Sequence, residues 1–162
     1  MSRQPWWKGA RGEWYVLAQG GLFALVLFGP TSGEQWPAWP RALALPAHGI
    51  GAMLLAFGAA MGIAAVLHLG RNLTPLPHPK DDCELVTSGP YAWVRHPIYS
   101  GLIFAAFGWA LLSEGTLTLL WASLLLIFLD IKSRREEHWL MQRFASYADY
   151  RRRVRKLIPF IY

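Results

Sequence analysis

The chain contains one cysteine and only ten acidic residues among its 162, and both shortages narrow the possibilities. A lone thiol, Cys83, cannot close an intramolecular disulfide, so the fold is not a disulfide-stapled secreted scaffold. Charged residues make up 16% of the chain against 54% hydrophobic ones, which leaves little polar surface for the helices of a soluble bundle. The five histidines, His48, His68, His78, His96 and His138, show no recognisable ligand spacing, so no metal site is expected. No internal repeat, low-complexity tract or second domain is visible. No small-residue cleavage pattern stands out near the start either, and Trp6, Trp7 and Trp14 suit an interfacial aromatic anchor better than a cleavable leader.

What the chain has instead is long apolar runs. Residues 14–29 carry no formal charge and end at Pro30, and 42–69 are interrupted only by His48 and His68. Residues 98–112 and 116–129 follow, separated by Ser113, Glu114 and Gly115. A bilayer core of ~30 Å takes ~20 apolar helical residues, so the second run is ample and the others are short. Short runs also occur as buried helices of soluble proteins, but these are apolar nearly all round and crowd a small chain. The expectation is an all-α integral membrane fold: one domain over 1–162, with spans at about 14–29, 42–69, 98–112 and 116–131. The last two spans form a hairpin. Gly58 to Gly62 presents small residues suited to close helix packing.

Charge placement orients these spans. Arg3, Lys8 and Arg11 precede the first; Arg71, Lys80 and Arg95 lie between the second and third; the segment after the fourth is densely basic. Only Arg41 falls in a loop of the opposite side. The positive-inside rule then puts both termini and the loop at 71–97 in the cytoplasm, at the inner or plasma membrane if the chain is bacterial. The net charge of +6 is explained by this topology, and nucleic-acid binding is not expected.

Polar and turn-forming residues concentrate in two places. In the first, Pro75, Pro77 and Pro79 with Asn72 and Asp81 break the helix, and Gly89-Pro90 makes a further turn. Irregular backbone beside a membrane persists where it is buried in protein or lines a cavity, and its free peptide groups suit a polar ligand. Pro97 fits the first helical position. His96 and Tyr99, three apart, share a face near a helix start that favours negative charge. Taken singly, Tyr91, Trp93, Arg95, His96 and Tyr99 would read as interfacial residues. The second place is 130–140, where Asp130/Arg134 and Lys132/Glu136 stand at i,i+4 spacing that stabilises a helix by ~0.2–0.5 kcal/mol per pair. The hairpin brings this end back beside His96, so the two places can wall one pocket. A carboxylate there would hold an ammonium group, and a basic residue an anionic one. Further on, Leu140, Phe144, Tyr147, Val154 and Leu157 recur at helical spacing among arginines, which predicts a C-terminal amphipathic helix at about 132–157 lying on the membrane surface. Arg151, Arg152 and Arg153 would reach anionic headgroups, worth ~1 kcal/mol per basic residue.

The run LVTSGPYAWVRHPIYSG at 85–101, the preceding NLTPLPHP at 72–79 and EEHWL at 136–140 together resemble the isoprenylcysteine carboxyl methyltransferase and phospholipid methyltransferase superfamily. The resemblance covers roughly residues 70–162. It implies an integral membrane enzyme that binds S-adenosylmethionine between the cytoplasmic loop and the ends of the last spans, and transfers its methyl to a hydrophobic or lipid-like acceptor. By it, Leu85, Val86 and Gly89 offer backbone contacts, Tyr91, His96 and Tyr99 line the cofactor pocket, and Glu136 or Glu137 holds the methionine ammonium. Arg95 would orient the acceptor or the methionine carboxylate. Carboxyl-methylating members carry an arginine shortly before the glutamates; here Lys132 stands about there, with Arg134 and Arg135 closer, so Lys132 and Arg135 join Arg95 as catalytic candidates. A nicotinamide-dependent membrane reductase of the sterol reductase type shares the Gly-Pro-Tyr and Arg-His-Pro features, but has many more spans. A non-enzymatic membrane scaffold would leave the loop unexplained.

Overall fold

The computed structural model describes residues 12–32, 39–78 and 82–162. Arg3, Trp6, Trp7, Lys8, Arg11, Pro79, Lys80 and Asp81, which entered the readings above, lie outside these residues. Within them the chain folds into α1 (Glu13–Phe28), α2 (Arg41–Leu69), α3 (Pro97–Leu112), α4 (Thr116–Arg143) and α5 (Tyr147–Arg153), with short 3₁₀ turns at Gly70–Asn72 and Gly89–Ala92.

Local chemistry sets the helix ends. α1 stops where Gly29 turns extended ahead of Pro30, whose missing N–H cannot continue the ladder. α2 ends at Gly70, whose N–H still reaches Val66 O but whose backbone, at φ +53 and ψ −121, takes a conformation open to glycine and closed to residues with a Cβ. α3 begins with Pro97 at its first position and ends at Ser113, and Glu114-Gly115 turns the chain into α4. Two helices, Arg41–Asn72 (counting the 3₁₀ turn) and Thr116–Arg143, are long and apolar enough to cross a membrane. The other two apolar helices, Glu13–Phe28 and Pro97–Leu112, are shorter, about 24 Å each at the usual rise.

α2 and α3 form the tightest pair. A Cβ on Gly58 would come within 2.5 Å of Gly101 O, and one on Gly101 within 2.6 Å of Gly58 O. The same holds one or two turns away, where a Cβ on Gly108 would meet Leu55 N at 2.6 Å and Gly51 O at 2.7 Å. Glycine is required along this seam because the two backbones touch. In lipid, where apolar surface gains nothing by leaving hydrocarbon, such contact is the main source of helix association. α4 packs on α3 and carries α1, around a core of Val26, Ile103, Ala106, Leu125 and Leu129. At the end away from the loop, Leu117 N donates to Thr31 O and Trp39 Nε1 to Thr116 Oγ1, tying the connections together.

The expectation of one amphipathic helix over about 132–157 is corrected. Residues 132–143 prolong α4, the chain turns extended at Phe144, α5 is only seven residues long, and 154–162 fold back over the loop. Val94 pairs in parallel with Arg155, and Arg95 N and His96 N donate to Arg155 O and Lys156 O at 2.8 and 3.1 Å. Two of the apolar positions assigned to a lipid-facing stripe, Tyr147 and Leu157, are instead buried inside the protein. Helical spacing specified which residues avoid water but not which partner covers them.

Gly101→Leu should therefore cost more than the about 1–3 kcal/mol of an ordinary overpacked core, since backbone and not a movable side chain is in the way. Gly20, whose Cβ would meet nothing within 4 Å, is the control: Gly20→Ala should be neutral or stabilise by up to about 1 kcal/mol. Thermal melting in detergent compares the two, and equal melting temperatures would contradict the seam.

Candidate active site

Between the end of α2 and the start of α3 the loop is held by its own side chains. Asn72 acts like a backbone group, accepting from Glu84 N at 3.2 Å and donating to Glu84 O at 3.3 Å. Ser88 Oγ lies 2.9 Å from His68 Nε2, and Gly89, at φ +59, lies so close to the His68 ring that a Cβ would approach it to 2.8 Å. A left-handed glycine at this point is what lets the loop fold onto the end of α2. Pro90 then starts the 3₁₀ turn that delivers Tyr91 inward, and Tyr150 OH of α5 donates to Tyr91 O at 2.6 Å.

The loop covers a cavity of about 270 Å³. Its walls are residues 72–77 and 83–86, Tyr91 and residues 95–99, Lys132, Glu136 and Leu140 of α4, Tyr147 and Tyr150 of α5, and Gln19 of α1. Of the residues singled out from sequence, Leu85, Val86, Tyr91, Arg95, His96, Tyr99, Lys132 and Glu136 line it. Three do not. Gly89 supports the loop against His68. Glu137 lies behind the cavity wall, and Arg135 is exposed, with its guanidinium over the Trp139 ring at 5.3 Å. Arg135, a catalytic candidate from sequence, thus stands outside the cavity: one helical position moves a side chain by about 100°.

The paired glutamates do different work for the same reason. Glu137 is buried and multiply bonded: Arg95 Nε donates to its Oε1 at 2.8 Å, His96 Nε2 lies 3.2 Å from the same oxygen, and Arg151 Nε is 3.5 Å from Oε2. It stands well past the apolar part of α4. Burial there opposes its charge, but the hydrogen bonds and charges of His96 and Arg95 outweigh that and hold its carboxyl at about 2, against an ordinary 4.5. Glu136 is half-buried on the cavity side, where Tyr99 OH donates to its Oε2 at 2.8 Å and His96 Nδ1 stands 3.7 Å away. The His96 and Tyr99 rings stack, 5.4 Å apart and within 4° of parallel. Burial pushes the Tyr91, Tyr147 and Tyr150 hydroxyls up, so all three are neutral donors.

Lys132 is 1% exposed. Its ammonium donates to Gln19 Oε1 at 2.6 Å and Pro75 O at 2.9 Å and lies 5.3 Å from the Tyr99 ring centroid. Both oxygens are neutral, and among the described residues Lys132 makes no ion pair. The Lys132/Glu136 helix pair expected from spacing is replaced by these cross-chain contacts. Gln19, Tyr147 and Tyr150 escaped the sequence reading. Gln19 had one signal, a lone amide inside an uncharged span; Tyr147 and Tyr150 were absorbed into an apolar stripe or overlooked. The Tyr147 hydroxyl is buried and has no partner among the described residues.

Removing Glu137 should leave the Arg95 guanidinium buried without its counter-charge, a change that costs about 3–5 kcal/mol. Because Glu137 titrates lower in the folded state, its stabilisation is complete above about 4.5 and disappears as pH falls toward 2. The difference in denaturant stability between wild type and Glu137→Gln should therefore be large at neutral pH and shrink across that interval. A difference that grows on acidification would contradict the assignment.

Comparison with known proteins identifies the chain's relatives. The phospholipid methyltransferase family model matches residues 46–147. The protein-S-isoprenylcysteine O-methyltransferase of Dictyostelium discoideum is 31% identical over 139 residues, 79% of this chain and 56% of its own length. That of Mus musculus is 32% identical over 130 residues, 78% of this chain and 45% of its own. The nickel-cobalt-cadmium resistance protein NccN of Alcaligenes xylosoxydans xylosoxydans is 29% identical over 150 residues, 91% of this chain and 63% of its own. Among solved structures, the eukaryotic intramembrane Ras methyltransferase ICMT shares the fold with a TM-score of 0.62 at 24% identity, over 99% of this chain and 55% of that one. The chain thus spans about half the length of the isoprenylcysteine methyltransferases it matches. With a family match across well over half its residues, the chain belongs to the phospholipid methyltransferase family, in the superfamily shared with the isoprenylcysteine carboxyl methyltransferases.

Proposed function

We propose that the chain is an integral membrane methyltransferase that binds S-adenosylmethionine in the loop-covered cavity and methylates the anionic end of a lipid-like acceptor at the cytoplasmic face. The observation that carries this reading is the pair of opposite charges on either side of Tyr99. The Glu136 carboxylate bonds its hydroxyl, and the buried Lys132 ammonium lies over its ring.

The residues present suit the cofactor. Glu136 would take the methionine ammonium, the loop backbone at Leu85 and Val86 offers peptide groups to a polar ligand, and Tyr147 brings a buried hydroxyl that lacks a partner among the described residues. When bound, S-adenosylmethionine supplies a methyl group made electrophilic by its sulfonium. The protein's part is placement: acceptor and methyl must lie in line, and good alignment alone is worth ~7–11 kcal/mol of barrier. Lys132 would hold the acceptor. A cation removed from water and met only by neutral oxygens is a poor resting arrangement unless an anion joins it. This favours a carboxylate or another anionic group over a lipid amine, which would also need to lose a proton before attack. A thiolate fits Lys132 equally well in charge. Arg95 is committed to Glu137 and to the Arg151 and Val154 carbonyls, so it shapes the wall and is not the acceptor's partner.

A second, apolar cavity of about 250 Å³ lies farther along the helices, mainly between α1 and α3, lined by Phe23, Leu27, Leu55, Leu102, Trp109 and Leu125. It follows the same helices that wall the polar cavity, and it suits the hydrocarbon part of an acceptor lying in the bilayer. The basic residues between α2 and α3 and after α4 support a cytoplasmic active site with both termini on that side. The reductase reading gives way to the methyltransferase family match.

The demethylated product of the cofactor, S-adenosylhomocysteine, should raise the melting temperature of the detergent-solubilised protein, while NADPH should not. Glu136→Gln should weaken that binding by roughly 10–100-fold, the worth of a hydrogen bond to a charged group, with the fold intact. A labelled-methyl assay on prenylated peptides, membrane lipid fractions and small thiols identifies the acceptor, and Lys132→Met should raise KM for an anionic one far more than it lowers cofactor affinity. Stabilisation by NADPH alone, or labelling confined to lipid amines, would overturn the corresponding part of the reading.

A further inference from the structure

Beyond the Arg95–Glu137 pair lies a cavity of about 550 Å³ that the methyl-transfer reading does not use. Five of the six residues at 151–156 are basic, and all six line it, together with Arg95 and Arg134. The single acidic residue among its lining residues is Glu137, already engaged by Arg95 and His96. Asp130 is committed to Arg134 and Lys156, and Asp149 to Arg152. The Arg153 and Arg155 side chains make no ion pair among the described residues, and both are exposed. The cavity thus holds surplus positive charge that no acidic residue among the described ones neutralises.

Its rim differs in character. Ile161 lines it, and Ile161 and Phe160 are 74% and 80% exposed. Phe160 sits at φ +66, a left-handed conformation uncommon for an aromatic residue. This turn is tied to the boundary of the apolar part of α4, because Tyr162 OH donates to Asp130 Oδ1 at 3.0 Å and Lys156 pairs with the same carboxylate. Basic groups inside and bare apolar side chains at the rim, both at the level where α4 turns from apolar to charged, match an amphiphile with an anionic head. A soluble anion would gain nothing from Phe160 and Ile161.

We propose that this cavity binds the headgroup phosphate of an anionic phospholipid from the surrounding bilayer, with Phe160 and Ile161 against its acyl chains. Occupancy would fasten residues 151–158. These carry the carbonyls that receive Arg95 and the strand-like pairing with Val94 and His96, so the lipid would hold closed one wall of the active site. The inference rests on the chain being embedded in a membrane and not on the identity of its methyl donor, so the two can fail separately.

The test is amide hydrogen exchange over residues 147–158 in lipid nanodiscs made of phosphatidylcholine alone or mixed with phosphatidylglycerol. Phosphatidylglycerol should slow exchange there about tenfold by suppressing local opening. Arg153→Gln/Arg155→Gln should abolish the lipid effect while leaving S-adenosylhomocysteine binding in pure phosphatidylcholine unchanged. Arg71→Gln/Arg143→Gln, the same loss of charge outside the cavity, should retain it. The proposal is overturned if the wild type shows no lipid dependence, or if the second pair loses it equally, which would mean general attraction to a charged surface. It is also overturned if inorganic phosphate in phosphatidylcholine discs gives the same protection.

Discussion

The buried carboxylate of Glu137 is the point at which otherwise separate parts of the chain meet. It belongs to α4, it receives Arg95 and His96 from the loop before α3, and it lies within reach of Arg151 on α5. Arg95 in turn spends another nitrogen on the Arg151 and Val154 carbonyls. A guanidinium can do this because its donors are rigidly forked and cannot be switched off by losing a proton. Without the carboxylate, the buried Arg95 guanidinium would lose the opposite charge it rests against. With it, the loop, the helix end and the returning tail close around one cavity.

Below that junction the membrane portion solves a different problem. Its helices have apolar surface on nearly every side, so hydrophobicity cannot choose which faces meet. Gly51, Gly58, Gly101 and Gly108 make the choice by letting α2 and α3 approach to backbone contact. That seam places the start of α3, and therefore His96 and Tyr99, against the end of α2 where the loop departs. The cavity-lining residues of α3 and α4 sit on helix ends while the irregular loop closes over them.

Two neighbouring glutamates illustrate how much rests on one helical step. Glu136 faces the cavity and accepts from Tyr99, whereas Glu137 faces the loop and is held by Arg95 and His96. Lys132, one turn before Glu136, shares its face and enters the same cavity; Arg135, one residue off, leaves it and covers Trp139. Family resemblance brought all four into view, and their angular positions on α4 separate them. Most of the loop residues named from sequence do line the cavity, because the glycine, proline and histidine punctuation that identifies the loop also dictates its path. Gln19 and Tyr147 were not legible: each meets its neighbours only across more than a hundred residues of chain or around a turn that local spacing does not reveal.

Sequence alone determined the helical segments, the uneven distribution of charge and the motif that marks the loop, since each depends on near neighbours: runs of apolar residues, proline and glycine breaks, and fixed spacings. Only the tertiary structure decided where the chain after Arg143 goes. Its apolar residues recur at helical spacing, which would equally have suited a helix lying on lipid. They turn inward because the loop offers unpaired backbone N–H groups at Arg95 and His96, and carbonyls at 155 and 156 complete them. A buried donor must find an acceptor somewhere, and the acceptor it finds is set by the whole fold.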